Sequence, residues 1–322
     1  MFPCSPTFTS CTPADTADPA AEIAAGLLHT PATVSPKYFY DRLGSVLFTA
    51  ITELDEYYPT RTEAAIFAAH GPAMARALHA TLAPGFTLVD LGAGDGAKAA
   101  SLFDTLQPGA YVAVDISEAY LRKSLAALQQ RFPALRMAGL GLDFAQRLVL
   151  PAGLVDGPAL LFYPGSSIGN FKPEDALRLL RQAHDVAQGG ALLIGADLCK
   201  PAAVLHPAYD DALGVTAAFN LNLLRHVNRR LGSDFDLAQW QHLAVVNEAE
   251  GRVEMHLQAR QALRVRWPGG ERAFAQGERI HTENSYKWEP GAFEALLRDA
   301  GWRHVQRWTD AQDWFGVFLA QA

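Results

Sequence analysis

No lysine or arginine occurs before Lys37, and cysteine is nearly missing throughout, with Cys4, Cys11 and Cys199 the only three in 322 residues. Secretory and transit leaders open on basic residues, so the chain lacks the start of one. Three cysteines with no metal-ligand spacing and no even count exclude a disulfide framework and a cysteine-built metal centre. A reducing cytoplasm is the expected location, and no metal is expected. No apolar run approaches the ~20 residues that a membrane helix needs, so no membrane partner is expected. Basic residues are also outnumbered, 27 Lys and Arg against 34 Asp and Glu for a net charge of -7, and they form no cluster. That balance disfavours a phosphate-backbone partner, and no nucleic acid is expected.

What is present is an ordinary water-soluble composition, 49% apolar and 19% charged, in a length that suits one large domain or two smaller ones. The Pro/Thr/Ser/Ala-rich head, residues 1–20, reads as a loose tail. An Ala-rich helical pattern follows from Thr62 to about Leu82, ending at Pro84-Gly85. Strands are then expected at Thr87–Asp90, Tyr111–Asp115, Ala159–Tyr163 and Ala191–Asp197, with helices at Ala97–Leu106, Glu118–Arg131 and Pro173–Ala187. Repeated β-then-α units with apolar strands predict an α/β fold, a doubly wound and mostly parallel sheet with helices on both faces. The tail predicts a helix over Phe293–Ala300, then two strands, Arg303–Trp308 and Trp314–Ala320, close enough to form an antiparallel pair. A parallel sheet finished by a terminal antiparallel hairpin resembles the class I S-adenosylmethionine-dependent methyltransferase fold.

Between Asp197 and Ser285 the rhythm changes. A helix over Pro207–Leu231 precedes segments Leu243–Asn247, Arg252–Leu257 and Ala262–Trp267, which read as a small antiparallel sheet. These form an inserted α+β module, and the segment Tyr38–Tyr58 is expected to pack with it. The expected division is therefore a head (1–20), a sheet domain (62–197 and 286–322) and a substrate-binding domain (21–61 and 198–285). A cleft between the last two is the expected substrate site.

The chemistry starts at Leu88-Val-Asp-Leu-Gly-Ala-Gly-Asp-Gly96, answered by Tyr111-Val-Ala-Val-Asp-Ile-Ser117. An apolar run stops at glycines, and a second apolar run stops at an acid. Glycines let the backbone approach a nucleoside, and Asp115 can accept hydrogen bonds from both ribose hydroxyls. The polar run Tyr163–Asn170 follows a buried strand, and Asn170 offers an amide donor and a carbonyl acceptor suited to the charged end of an amino acid. Asn170 could equally shape the turn before Phe171. Tyrosines sit in polar strings at Tyr38–Asp41, Glu56–Arg61 and Ala208–Asp211, which favours a lined pocket over plain core. Periodicity alone reads Thr282–Lys287 as a solvated strand face.

Several of these strings resemble the bacterial L-histidine Nα-methyltransferases of ergothioneine biosynthesis. They are Lys37-Tyr-Phe-Tyr-Asp41 with Gly44-Ser45 and Leu47-Phe48, Glu56-Tyr-Tyr-Pro-Thr-Arg-Thr-Glu63, and Pro164-Gly-Ser-Ser-Ile-Gly-Asn-Phe171. Ala208-Tyr-Asp-Asp211 with Thr216 and Phe219-Asn220, and Ile280-His-Thr-Glu-Asn-Ser-Tyr-Lys287, belong to the same set. The likeness runs from about Lys37 to the C-terminus. It implies that Gly92, Lys98, Asp115, Asp143 and Phe144 contact S-adenosylmethionine, with Asp115 on the ribose and Asp143 on the adenine amino group. It implies that Tyr57, Asn170 and Tyr209 hold the amino acid, that Glu283 and Ser285, flanking Asn284, read the imidazole, and that Met255 packs the ring. Tyr40 falls where the amine meets the methyl group and is the expected catalytic residue.

The resemblance implies three successive methylations of L-histidine, giving the trimethylated betaine hercynine, by a monomer acting on a small molecule. The residues identify no base; solvent or a tyrosine-linked water can take the proton. Another aromatic amino acid such as tryptophan is the alternative substrate. A nicotinamide-dependent oxidoreductase shares the glycine turn and ribose acid, but the terminal hairpin and the lack of a catalytic His/Lys pair disfavour it. A non-catalytic ligand-binding module is the remaining reading.

Overall fold

The structure, a computed structural model, describes residues 5–10 and 18–322. In chain order its elements are β1 (Thr7–Ser10), α1 (Pro19–Leu28), β2 (Ala32–Thr33), α2 (Arg42–Thr52), α3 (Tyr58–His79), β3 (Thr87–Leu91), α4 (Ala97–Ala100) and α5 (Phe103–Leu106). Then come β4 (Ala110–Asp115), α6 (Glu118–Arg131), β5 (Arg136–Gly141), β6 (Ala159–Tyr163), α7 (Pro173–Ala187), β7 (Ala191–Asp197), α8 (Ala202–Tyr209) and α9 (Val215–Leu231). The chain closes with β8 (Trp240–Asn247), β9 (Arg252–Ala259), β10 (Leu263–Trp267), β11 (Gly270–Phe274), β12 (Arg279–Tyr286), α10 (Pro290–Asp299), β13 (Arg303–Thr309) and β14 (Phe315–Gln321). Among the described residues, no helix is long and apolar enough to cross a membrane.

Two units emerge. The first takes its described residues from 5–10, Arg61–Leu198 and Trp288–Ala322, and the second from 18–60 and Cys199–Lys287. The first is built on an eight-stranded sheet in the order β1-β5-β4-β3-β6-β7-β14-β13. Strands β3 to β7 pair in parallel, whereas β14 lies antiparallel between β7 and β13. Every residue of β6 and β7 is buried, as expected of apolar runs in a sheet covered on both faces. Helix α7 buries Ala176, Leu179, Leu180, Ala183 and Ala187 at helical spacing. From β3 the chain first builds outward through β4 and β5, then returns to lay β6 on the other side of β3. Open α/β sheets bind ligands at the carboxyl ends beside such a reversal.

The first unit departs from the sequence expectation in three places. The head carries β1, which pairs in parallel with β5 and covers an edge that would otherwise expose unpaired backbone. Strand β5 itself was not expected, because Gly139 and Gly141 weaken strand propensity. A Cβ on Gly139 would meet the Phe8 ring at 2.6 Å, so glycine is what lets β1 lie so close. The helix expected over 97–106 is two single turns. Of the cysteines, Cys4 and Cys11 lie outside the described residues, and Cys199 is exposed.

The second unit packs α1, α2, α8 and α9 with the sheet β2-β12-β9-β8. Polar side chains fix the helix starts. Asp41 accepts from the Gly44 N–H at the start of α2 (2.7 Å) and from the Asn222 side chain of α9 (2.8 Å). Asp211 accepts from the Val215 and Thr216 N–H groups at 2.9 and 2.7 Å, so it caps α9 and splits the helix expected over 207–231. The strand expected at 262–267 pairs only with β11, in a separate hairpin. Its anticipated place beside β9 belongs to β12. That strand is interior: Thr282, Glu283 and Ser285 are buried, as is Lys287 just past its end, which overturns the solvated-face reading.

Candidate active site

In the first unit, β3 runs into Gly92–Gly96. The N–H groups of Gly92 and Ala93 both donate to the Val114 carbonyl (2.9 and 3.1 Å), which folds the loop back over β4. Asp115, at the end of β4, accepts from the Gly94 N–H (3.0 Å) through one oxygen and from the Ser117 N–H (2.9 Å) through the other. Each oxygen keeps a further lone pair, the capacity two ribose hydroxyls need. A Cβ on Gly94 would meet no protein atom within 4 Å, and one on Gly92 would lie 3.8 Å from the Phe144 ring. The loop therefore presents open backbone beside a fixed carboxylate and an aromatic face. Asp143 adjoins Phe144 just beyond β5, tied in by the Leu142 N–H to the Asp115 carbonyl (3.1 Å). These residues fit a nucleoside-bearing cofactor.

Gly96 starts α4 with φ +72°, and a Cβ there would lie 3.0 Å from the Tyr111 hydroxyl and 3.3 Å from Leu128. Gly96→Ala should therefore destabilise the fold by about 1–3 kcal/mol, read as a lowered urea midpoint with an unchanged slope. A midpoint equal to the parent's would show that the loop relaxes freely.

Two buried acids that the sequence reading did not single out support this loop. Asp90 accepts from the Tyr111 hydroxyl (2.8 Å), and burial pushes its carboxyl up to about 7. Glu63, on α3, pairs with the Lys98 ammonium (2.6 Å) and accepts from the Gly165 N–H (2.7 Å). Lys98, expected at the cofactor, is thus fastened to the loop after β6, whose last residue is the half-buried Asn170. Both acids sit at apolar-periodic positions, the one local sign that could have flagged them.

In the second unit, Glu283 and Ser285 occupy alternate positions along β12 and share its face, and Lys287 follows one residue past the strand's end. Met255 on β9 stands opposite Glu283 in the register. Tyr209, at the end of α8, joins them: its hydroxyl lies 2.7 Å from Ser285 Oγ. The Lys287 ammonium donates to the Tyr209 hydroxyl (2.7 Å) and to Ser285 Oγ (2.8 Å). The pleat turns Asn284 away from Glu283 and Ser285, and a bulge between His281 and Glu283 brings His281 to the same side, its Nε2 2.9 Å from Asn284 Oδ1. Asn284 is thereby separated from the Glu283 group it was expected to join. Tyr40 and Tyr57 are both edge-on to Phe48, with centroids 5.8 and 6.3 Å away. Phe219 adds a fourth ring, 5.9 Å from Tyr40.

Burial pushes the Glu283 carboxyl up to about 7, although the Lys287 charge pulls the other way. The folded chain holds this proton more tightly than the unfolded chain. Its stabilising contribution is fully present below the ordinary value of 4.5 and is lost as pH rises through about 7. Glu283→Gln cannot ionise, so from pH 5 to 8 it should gain on the order of 2 kcal/mol relative to the parent in urea unfolding. Asp90 titrates in the same window in both proteins and cancels from the difference. A difference that stays flat with pH would show that Glu283 does not carry this burden.

A doubly wound sheet closed by an antiparallel strand, with a glycine loop and an acid latched to it at the reversal point, is the fold of a class I S-adenosylmethionine-dependent methyltransferase. A family model described as "Histidine-specific methyltransferase, SAM-dependent" matches residues 19–322, and the chain belongs to that family. The nicotinamide oxidoreductase reading falls with this membership. The chain is 40% identical over 318 residues to a histidine N-alpha-methyltransferase of Mycolicibacterium smegmatis, covering 94% of this chain and 96% of the relative. A protein of the same name from Mycobacterium tuberculosis is 40% identical over 307 residues, covering 93% of each. Ergothioneine biosynthesis protein 1 of Neurospora crassa is 30% identical over 290 residues, covering 87% of this chain and 32% of that protein.

Proposed function

We propose that the chain transfers methyl groups from S-adenosylmethionine to the α-amine of L-histidine. Three rounds give Nα,Nα,Nα-trimethylhistidine, hercynine, as the first step of ergothioneine biosynthesis. The observation that carries the substrate choice is the buried Glu283 carboxyl beside Ser285, with Met255 opposite. An imidazole is the amino-acid side chain that satisfies this group with both ring nitrogens, one N–H donated to the carboxylate and the bare nitrogen accepting from Ser285. A tryptophan side chain has one N–H and no second nitrogen to answer it.

The cofactor, when bound, supplies an electrophilic methyl group on a sulfonium. Asp115 accepts from its ribose, Asp143 from its adenine amino group, and Phe144 covers the base beside the open backbone of Gly92, with Lys98 at the loop's far end. Tyr57, Asn170 and Tyr209 take the carboxylate and amine of histidine. Tyr40 orients the amine, and its ring face tolerates the methylated cation. Orientation is the principal rate term, since well-placed pairs reach effective molarities of roughly 10⁵–10⁸ M. A monomer working in the cytoplasm without a metal completes the reading.

Mass spectrometry of histidine incubated with protein and S-adenosylmethionine tests it directly. Stepwise methyl gains on the α-nitrogen are expected, ending at three. A panel of free amino acids in which tryptophan, and not histidine, gains the methyls would reverse the substrate assignment.

A further inference from the structure

Lys287 is a buried ammonium that the reaction above does not use. Its environment in the second unit is specific. It reaches Tyr209 and Ser285 at 2.7 and 2.8 Å, and it lies 4.7 Å from the centroid of the Tyr209 ring. It lies just past the end of β12, the strand that carries Glu283, whose titration feels its charge. An ammonium can only donate, so both hydroxyl oxygens must accept from it. The Tyr209–Ser285 bond uses one of the two hydroxyl protons, so the pair offers a ligand at most one. With Tyr209 donating to Ser285, both lone pairs of Ser285 are filled, and Ser285 can act on a ligand only as a donor.

We propose that Lys287 is a positioning residue of the histidine-reading group: its charge keeps Glu283 an ionised acceptor of the ring N–H, and its two hydrogen bonds hold Tyr209 and Ser285 in place, with Tyr209 donating to Ser285 so that Ser285 donates to the bare imidazole nitrogen. It does so without touching the substrate, through two hydrogen bonds and one charge. This rests on the histidine reading of Glu283 and Ser285.

The other groups around Glu283 do not supply this charge. On β9, Met255 opposite it is apolar, while Glu254 and His256 bond each other (2.9 Å) beside Arg252 and belong to the face that carries Asn284. From α9, Asn220 holds Thr282 (3.0 Å) and His242 (2.8 Å), and His242 also bonds the Tyr209 carbonyl (2.8 Å) beside Asp210. Burial holds the His242 and His256 imidazoles below their ordinary value, so both stay neutral above pH 7.

The test compares parent, Lys287→Met and Lys287→Gln for histidine KM and kcat between pH 7 and 9, with saturating S-adenosylmethionine. Without the ammonium, Glu283 holds its proton to higher pH. An upward move of about one pH unit raises histidine KM roughly fivefold at pH 7 and leaves it nearly unchanged at pH 9. The α-amine of histidine titrates alike in all variants and drops out of the ratio. In a Glu283→Gln background the pH-dependent part of the Lys287→Met effect should vanish. A merely structural role would change KM equally at every pH, and that result, or a parent-like profile, overturns the proposal. Calorimetry with S-adenosylhomocysteine and thermal melting check that each variant is folded; should the methionine variant fail, the glutamine variant carries the comparison. If the parent itself does not bind histidine in calorimetry, the substrate reading fails first, and the two failures are told apart.

Discussion

Glu283→Ala should lower kcat/KM for histidine by roughly 10²–10³-fold, chiefly through KM. On the proposed reading the substitution removes the acceptor of the ring N–H and leaves that donor buried without a partner, which costs more than a hydrogen bond exposed to water. Ring recognition is made alike in the ground state and the transition state, so turnover at saturating histidine should change much less. The vacated space beside Met255 should also admit larger aromatic amino acids, and relative rates for tryptophan should rise. Initial rates over an amino-acid panel measure both effects. Unchanged histidine kinetics in this variant would sink the ring-reading role of Glu283.

The second large effect is expected at the cofactor. Asp115→Ala should weaken S-adenosylhomocysteine binding by about 100-fold or more in calorimetry. Two causes act together. On the proposed reading the ribose hydroxyls lose their acceptor, and the Gly94 and Ser117 N–H groups lose the carboxylate that latches the glycine loop to the end of β4. Asp115→Asn should be nearly as damaging, because its amide NH₂ must face one of those two N–H donors. At donor concentrations high enough to compensate, histidine KM should stay close to the parent's. Binding of S-adenosylhomocysteine within threefold of the parent would remove Asp115 from the cofactor site.

Local pattern marked Asp115, whereas Glu283 was marked only by the family resemblance, since periodicity alone reads its strand as a solvated face. Gly92, Gly94 and Asp115 are readable because the glycines follow directly on one apolar strand and the acid, 21 residues after Gly94, ends the next. The helices Glu118–Arg131 and Pro173–Ala187 and the strands Ala159–Tyr163 and Ala191–Asp197 form over the residues expected, since each is bounded by its own proline, glycine or apolar run. Strand β5 escaped notice because its glycines answer to Phe8 and Glu118, residues distant in sequence. Asn284 was grouped with its neighbours Glu283 and Ser285, and the backbone sends it to the opposite face.

Composition and local pattern thus determined the sheet, its direction of travel and the acid at its reversal point, because those depend on short-range sterics and on which runs can be buried. The partners of charged side chains were decided only by the tertiary structure. Glu63 is joined to Lys98 and Gly165 across 35 and 102 residues, and Lys287 to Tyr209 across 78. Burying a charge is tolerable only where a distant segment delivers its counterpart, and no local pattern records which segment that is.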